Sequence, residues 1–183
     1  MPRPVSIISL LLGIGLAATA GSNPPEQQPA VRLLLNETEA GSLQSQQYCG
    51  LIFANHRFHY EKAGRHHGRD IDRKVYEGEL NDAEWNSLTG ALDSQAFRDV
   101  KVPEGVPPLV MQDAHDYTIS VLREDGNFQN MEFLNDKGRK PYEAQLKPLL
   151  EWWRTFRGRR MPETKVQADQ RCIPASGQAV FSQ

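Results

Sequence analysis

"YTISVLREDGNFQNMEF", Tyr117 to Phe133, decides the fold. Apolar and polar residues alternate on both sides of Asp125-Gly126, the period of two half-buried strands joined by a tight turn. A two-residue Asp125-Gly126 turn would pair Val121 with Asn130 and Ile119 with Glu132, which mixes faces. A three-residue loop, Glu124 to Gly126 with Gly126 in the left-handed region, pairs Ile119 with Met131, Tyr117 with Phe133 and Ser120 with Asn130. Only this register keeps each face consistent. It predicts a bulged hairpin with Tyr117, Ile119, Val121, Met131 and Phe133 facing the core.

Upstream, "VRLLL" (Val31–Leu35) reads as a short strand and "NETEAGSLQSQQ" as a loop. Leu51, Ile52 and Phe53 form a buried-strand run, followed by a turn at Asn55-His56. Phe58 and Tyr60 then alternate with Arg57, His59 and Glu61, and "RKVYEGEL" (Arg73–Leu80) gives one more strand. The stretch "AGRHHGRDID" between them is expected to be an exposed hairpin connection. Asn81 and Glu84 have the spacing of a capping box, and Trp85, Leu88 and Leu92 mark one helical face behind it. Phe97 is expected to fill the core as the chain leaves that helix. "VKVPEGVPPLVMQDAHD" is proline-rich and reads as an irregular connection or lid. The last helix, "PYEAQLKPLLEWWRTFRG", carries a stripe through Leu146, Leu149 and Trp153. Pro148 should kink it, and Trp152 should be partly exposed. The expected fold class is α+β: a largely antiparallel five- or six-stranded sheet with two helices packed on one face.

The N-terminus begins with Arg3, an apolar run from Val5 to Leu16 and Ala18-Thr19-Ala20. This is the pattern of a secretory signal cut after Ala20, and the run is short of the ~20 residues a spanning helix needs. The expected organisation is a signal peptide at 1–20, a flexible leader at 21–30, one α+β domain at 31–160 and a C-terminal tail at 161–183. The expected location is secreted or periplasmic, with no membrane span after cleavage. In an exported chain, Cys49 and Cys172 are expected to be bonded, tethering the tail.

The segment from Cys49 to Phe156 resembles a class of small exported bacterial domains of unknown function. The likeness rests on Cys49-Gly50, "YEGEL" at Tyr76–Leu80, "EWNSLTGALDSQAF", "REDGNF" and the closing helix. It implies a fold and export, and no activity.

The formal charge is −2, without the basic excess of a general nucleic-acid binder, so no nucleic-acid partner is expected. His56, His59, His66, His67, Asp70 and Asp72 are close in sequence, but their spacing matches no established ligand motif. Adjacent His66 and His67 would point to opposite faces of a strand. No catalytic residue, metal or cofactor is expected. Glu77 and Glu79 share a strand face, as do Asp70 and Asp72, without an evident cleft. "WWRTFRGRR" places arginines at a helix C-terminus, where the macrodipole favours them and where an anionic partner could bind. The sequence therefore points to a non-enzymatic binding domain for a protein, peptide or cell-envelope component. Lys74, Glu77, Ser120, Asn130 and Glu132 are its candidate sheet surface. The alternative is a metal-dependent or hydrolytic envelope enzyme using the His66/His67 loop.

Overall fold

The computed structural model describes residues 30–41, 44–66, 69–102 and 115–165, and their side chains except at 65–71. Six antiparallel strands form one sheet: β1 (Val31–Ala40), β2 (Gln44–Phe53), β3 (Arg57–His66), β4 (Arg69–Glu79), β5 (His115–Leu122) and β6 (Phe128–Phe133). Their spatial order is β4-β3-β2-β1-β5-β6. The helices are α1 (Asp82–Asp93), α2 (Gln95–Arg98), α3 (Asn135–Arg139) and α4 (Glu143–Gly158), with a 3₁₀ turn at Lys140–Tyr142. The architecture is thus α+β with six strands. Among the described residues no helix is long and apolar enough to cross a membrane.

The β5–β6 hairpin has the expected register. Tyr117 faces Phe133, Ile119 faces Met131 and Ser120 faces Asn130. The Arg123 N–H donates to the Asn127 carbonyl at 2.8 Å, closing a three-residue loop, and Gly126 has φ +80°. A β-branched side chain is poorly tolerated at such a φ. Gly126→Val should therefore cost roughly 1–2 kcal/mol in urea unfolding, and Gly126→Asn clearly less. Equal midpoints for wild type and the valine variant would refute the loop geometry.

The register divides the sheet into two faces. Leu33, Leu35, Ile52, Phe58, Tyr60, Ile119 and Val121 share one, and they join a single buried cluster with Leu88, Leu92 and Phe97 of α1 and α2 and Leu146, Leu149 and Trp153 of α4. Two glycines sit under large rings on this face. A β-carbon on Gly50 would lie 2.7 Å from the Trp153 ring, and one on Gly78 would lie 2.9 Å from Phe58. The glycine of "YEGEL" is thus explained by Phe58, its cross-strand partner.

The capping box is present. The Asn81 side chain accepts from the Glu84 N–H, and the Glu84 carboxylate accepts from the Asn81 N–H, both at 2.9 Å. Phe97 is fully buried.

Several expectations change. Asn36–Ala40 and Gln44–Gln47, read as loop, extend β1 and β2, pairing from Asn36↔Cys49 to Ala40↔Ser45. His115 and Asp116 belong to β5 rather than to the proline-rich connection, whose residues 103–114 lie outside the described ones. The "AGRHHGRDID" stretch is mostly strand, because β3 and β4 pair as far as His66↔Arg69. Trp152 is buried like Trp153: its indole N–H donates to the Glu84 carbonyl at 3.0 Å, and its ring stacks on Phe156. Pro148 lies inside α4, where its place in the apolar stripe put it.

The expected signal and leader and Cys172 lie outside the described residues; Cys49 is buried on β2. Beyond α4 the chain returns to the sheet, where the Thr164 N–H donates to the Val75 carbonyl on β4 at 2.8 Å.

Candidate functional site

Continuing β1 past its leucines places Glu37 on the core face, in line with Leu33 and Leu35 and opposite Tyr117. It is 1% exposed. Its Oε1 accepts from Tyr117 Oη at 2.7 Å and lies 2.6 Å from His115 Nε2. Its Oε2 accepts from Trp153 Nε1 at 2.6 Å and lies 3.2 Å from Arg157 Nη1. Burial alone would push this carboxyl up. The hydrogen bonds from His115, Tyr117 and Trp153 and the Arg157 charge outweigh burial and hold it below its ordinary value. Arg157 also donates through both terminal nitrogens to Glu39 Oε1 at 3.1 Å.

Glu37, Glu39 and His115 bring three donor atoms within 4.8 Å of one another, which is a spacing that could hold a cation. Arg157 already supplies the positive charge there, and both Glu37 oxygens accept hydrogen bonds. A divalent ion would have to displace the guanidinium. The arrangement is therefore a saturated ionic anchor joining β1, β5 and α4. Its carboxylate is engaged on all sides and poorly placed to take up a proton.

The other sheet face holds a second buried polar group. His59 is 6% exposed and Glu61 is 2% exposed. His59 Nε2 lies 2.9 Å from Glu61 Oε1, and His59 Nδ1 lies 3.2 Å from Glu77 Oε1. Arg73 donates to the second Glu61 oxygen. Burial opposes the charged imidazole, but the two carboxylates outweigh it and raise the His59 pKa above 6.5. A neutral ring would leave one bare nitrogen facing a carboxylate. Because the folded value is raised, the stabilisation is fully present below the ordinary value and is lost as pH rises through the folded one. His59→Gln should therefore cost about 2 kcal/mol at pH 6 and less at pH 9, read as urea midpoints. An identical pH profile in both proteins would rule out this charge state.

A recess of about 390 Å³ lies where α4 ends over β3 and β4, lined by Tyr60, Lys62, Tyr76, Arg157, Arg159, Arg160 and Met161. Its cations differ in standing. Arg157 is held by Glu37 and Glu39, and Arg159 by Glu84 at 2.6 Å. Lys62 lies over the Tyr48 ring, 5.7 Å from its centroid. Among the described residues, neither Lys62 nor Arg160 has a carboxylate partner. Tyr60 and Tyr76 stack with centroids 5.6 Å apart.

No family model and no curated protein matches the chain.

The sequence-proposed metal candidates do not converge where they can be followed. His56 sits in the β2–β3 turn at φ 69° and stacks on Trp85 at 4.3 Å. His59 is held between Glu61 and Glu77, and Asp72 lies 4.0 Å from Lys74. His66 and Asp70 are strand residues whose side chains are outside the description, and His67 lies outside it altogether. The proposed sheet surface is also divided: Glu77, Ser120, Asn130 and Glu132 share one face, whereas Lys74 pairs with Lys62 on the other. The Glu37 anchor was missed because "NET" reads as turn. The available signal was the period-two series Leu33, Leu35, Glu37, Glu39.

Proposed function

We propose that the protein is an exported, non-enzymatic binding domain, acting in the periplasm or outside the cell on an anionic protein, peptide or envelope component. The reading belongs with a signal peptide cut after Ala20, and with α1 and α4 packed together on one face of the sheet. One observation carries it. The buried Glu37 and His59–Glu61 groups are satisfied by their neighbours, while in the recess at the end of α4 Lys62 and Arg160 have no carboxylate partner among the described residues. Unpaired cations clustered in a concavity attract anions well beyond contact distance at low salt.

The test uses a cation-exchange matrix. The full chain carries net charge −2, and −3 once Arg3 is removed, so its average charge gives no reason for retention. Retention of the exported protein on phosphocellulose at pH 7.5 is expected, with release by roughly 0.3 M salt, where screening is strong. The double variant Lys62→Glu, Arg160→Glu should pass through. A wild-type protein that flows through would defeat the reading.

The same reading includes a Cys49–Cys172 bond tying down the C-terminal tail. Intact mass after alkylation should show two reactive thiols only when reduction comes first. Two cysteines alkylated in the native exported protein would end this claim.

A further inference from the structure

The recess has a second property that anion binding alone does not require. Lys62 and Lys74 are direct cross-strand partners on β3 and β4, on the same face as the recess. Like charges placed opposite one another in a sheet are destabilising. Asp72 lies 4.0 Å from Lys74, with the aspartate exposed and the lysine half-buried, so at that distance it offsets little. The fold therefore carries a small like-charge cost here, against which Lys62 has only its position over the Tyr48 ring, 5.7 Å from the centroid. Two residues along each strand, on the same face, Tyr60 and Tyr76 are also cross-strand partners. Tyr60 is 2% exposed and is packed edge-on by Trp153 and Phe156. Tyr76 is half-buried, and Tyr60 is its one ring neighbour among the described residues. The cavity thus joins an accessible aromatic surface to unpaired cations within about 390 Å³. That is near the lower end of the ~300–1,000 Å³ typical of small-molecule sites.

We propose that the recess is a binding site for a ring-bearing anion, with the ring lying on Tyr76 and a phosphate or carboxylate group met by Lys62 and Arg160. The proposal rests on the anion-binding reading above and adds the ring. Arg157 and Arg159 are already paired with Glu37, Glu39 and Glu84, so they form a rigid wall that loses little freedom on binding, and the unpaired charge comes from Lys62 and Arg160. The volume suits a single unit, such as an acidic sugar or a mononucleotide. These share the chemistry of one ring face and one anionic group.

Calorimetric titration at low salt separates the parts, using inorganic phosphate, glucose 6-phosphate, adenosine 5′-monophosphate and uncharged glucose as probes. At least one of the two ring phosphates should bind roughly tenfold or more tightly than inorganic phosphate, since a stacked ring adds its own contact. Glucose should not bind. Tyr76→Leu should erase the advantage of the ring while leaving inorganic phosphate unchanged. Lys62→Ala and Arg160→Ala should each weaken every anion by roughly tenfold, the size of one lost charge-assisted contact. The Lys62→Ala protein should also melt at the same or a higher temperature, because it relieves the Lys62–Lys74 pair. A purely structural lysine would lower that temperature. Tighter binding of the sugar phosphate identifies the ring as a sugar, and tighter binding of the nucleotide identifies it as a base. If inorganic phosphate binds and the ring adds nothing, the ring proposal is overturned while the anion-binding reading stands. If no anion binds, both fall.

Discussion

Replacing Glu37 by alanine should cost about 4 kcal/mol of folding stability, the scale of breaking a buried ion pair by removing one partner. The cost is large because the carboxylate serves four groups at once. Its loss leaves the Trp153 indole N–H and the Tyr117 hydroxyl without their acceptor, and deprives Arg157 of one of its two carboxylates. Each buried donor left unpaired adds its own desolvation penalty. Glu37→Gln keeps the shape but turns an amide NH₂ toward donors on one side, so a loss of roughly 2–3 kcal/mol is expected. The depressed pKa sets the pH dependence. The carboxylate contributes its stability above the ordinary carboxyl range, and that contribution disappears as pH falls through the lower, folded value. Wild type should therefore lose more stability than Glu37→Gln between pH 6 and pH 3. Urea midpoints across that range provide the measurement. A loss below 1 kcal/mol for the alanine variant at pH 7 would mean that β1 does not depend on this anchor.

Gly50→Ala should cost about 2–3 kcal/mol, in the range for overpacking a well-filled core. The new β-carbon would lie 2.7 and 2.9 Å from two atoms of the Trp153 ring. A ring free to move would yield at little cost. This one is pinned, since its Nε1 donates to Glu37, its edge meets Tyr60 and it stacks on Phe156. The effects at Gly50 and Glu37 should therefore be less than additive, because either change already disturbs Trp153. Gly90→Ala is the control. Nothing lies within 4 Å of its β-carbon position inside α1, and a gain of about 0.5–1 kcal/mol is expected from helix propensity. Thermal melts that rank Gly50→Ala level with Gly90→Ala would overturn the close packing.

These two positions also show what the sequence could convey. The β5–β6 register was legible because period two and one glycine leave a single consistent pairing. The capping box was legible because it is local. Glu37 was not, since a lone acid after an apolar run resembles the start of a turn until its distant partners are known. Those partners are 78 to 120 residues away along the chain. The same holds for Trp152 and for the recess. Arginines after a helix are explained locally by the macrodipole. Only the fold brings them beside Lys62, Tyr60 and Tyr76. His59 was misjudged for a related reason: alternation marked its side of β3 as solvent-facing, whereas that face is buried as well.

The hydrogen bond from Thr164 to Val75 lies on the outer side of β4. β4 ends the sheet, and at eleven residues it is the longest strand. Such an open edge is a template on which another molecule can add a strand and start a fibril. The opposite edge, β6, is only six residues long. The chain's own return after α4 occupies part of the vulnerable side. At Thr164 the longest edge of the sheet is thus met by the chain's own backbone, so the Val75 carbonyl is not left free for a strand from another molecule.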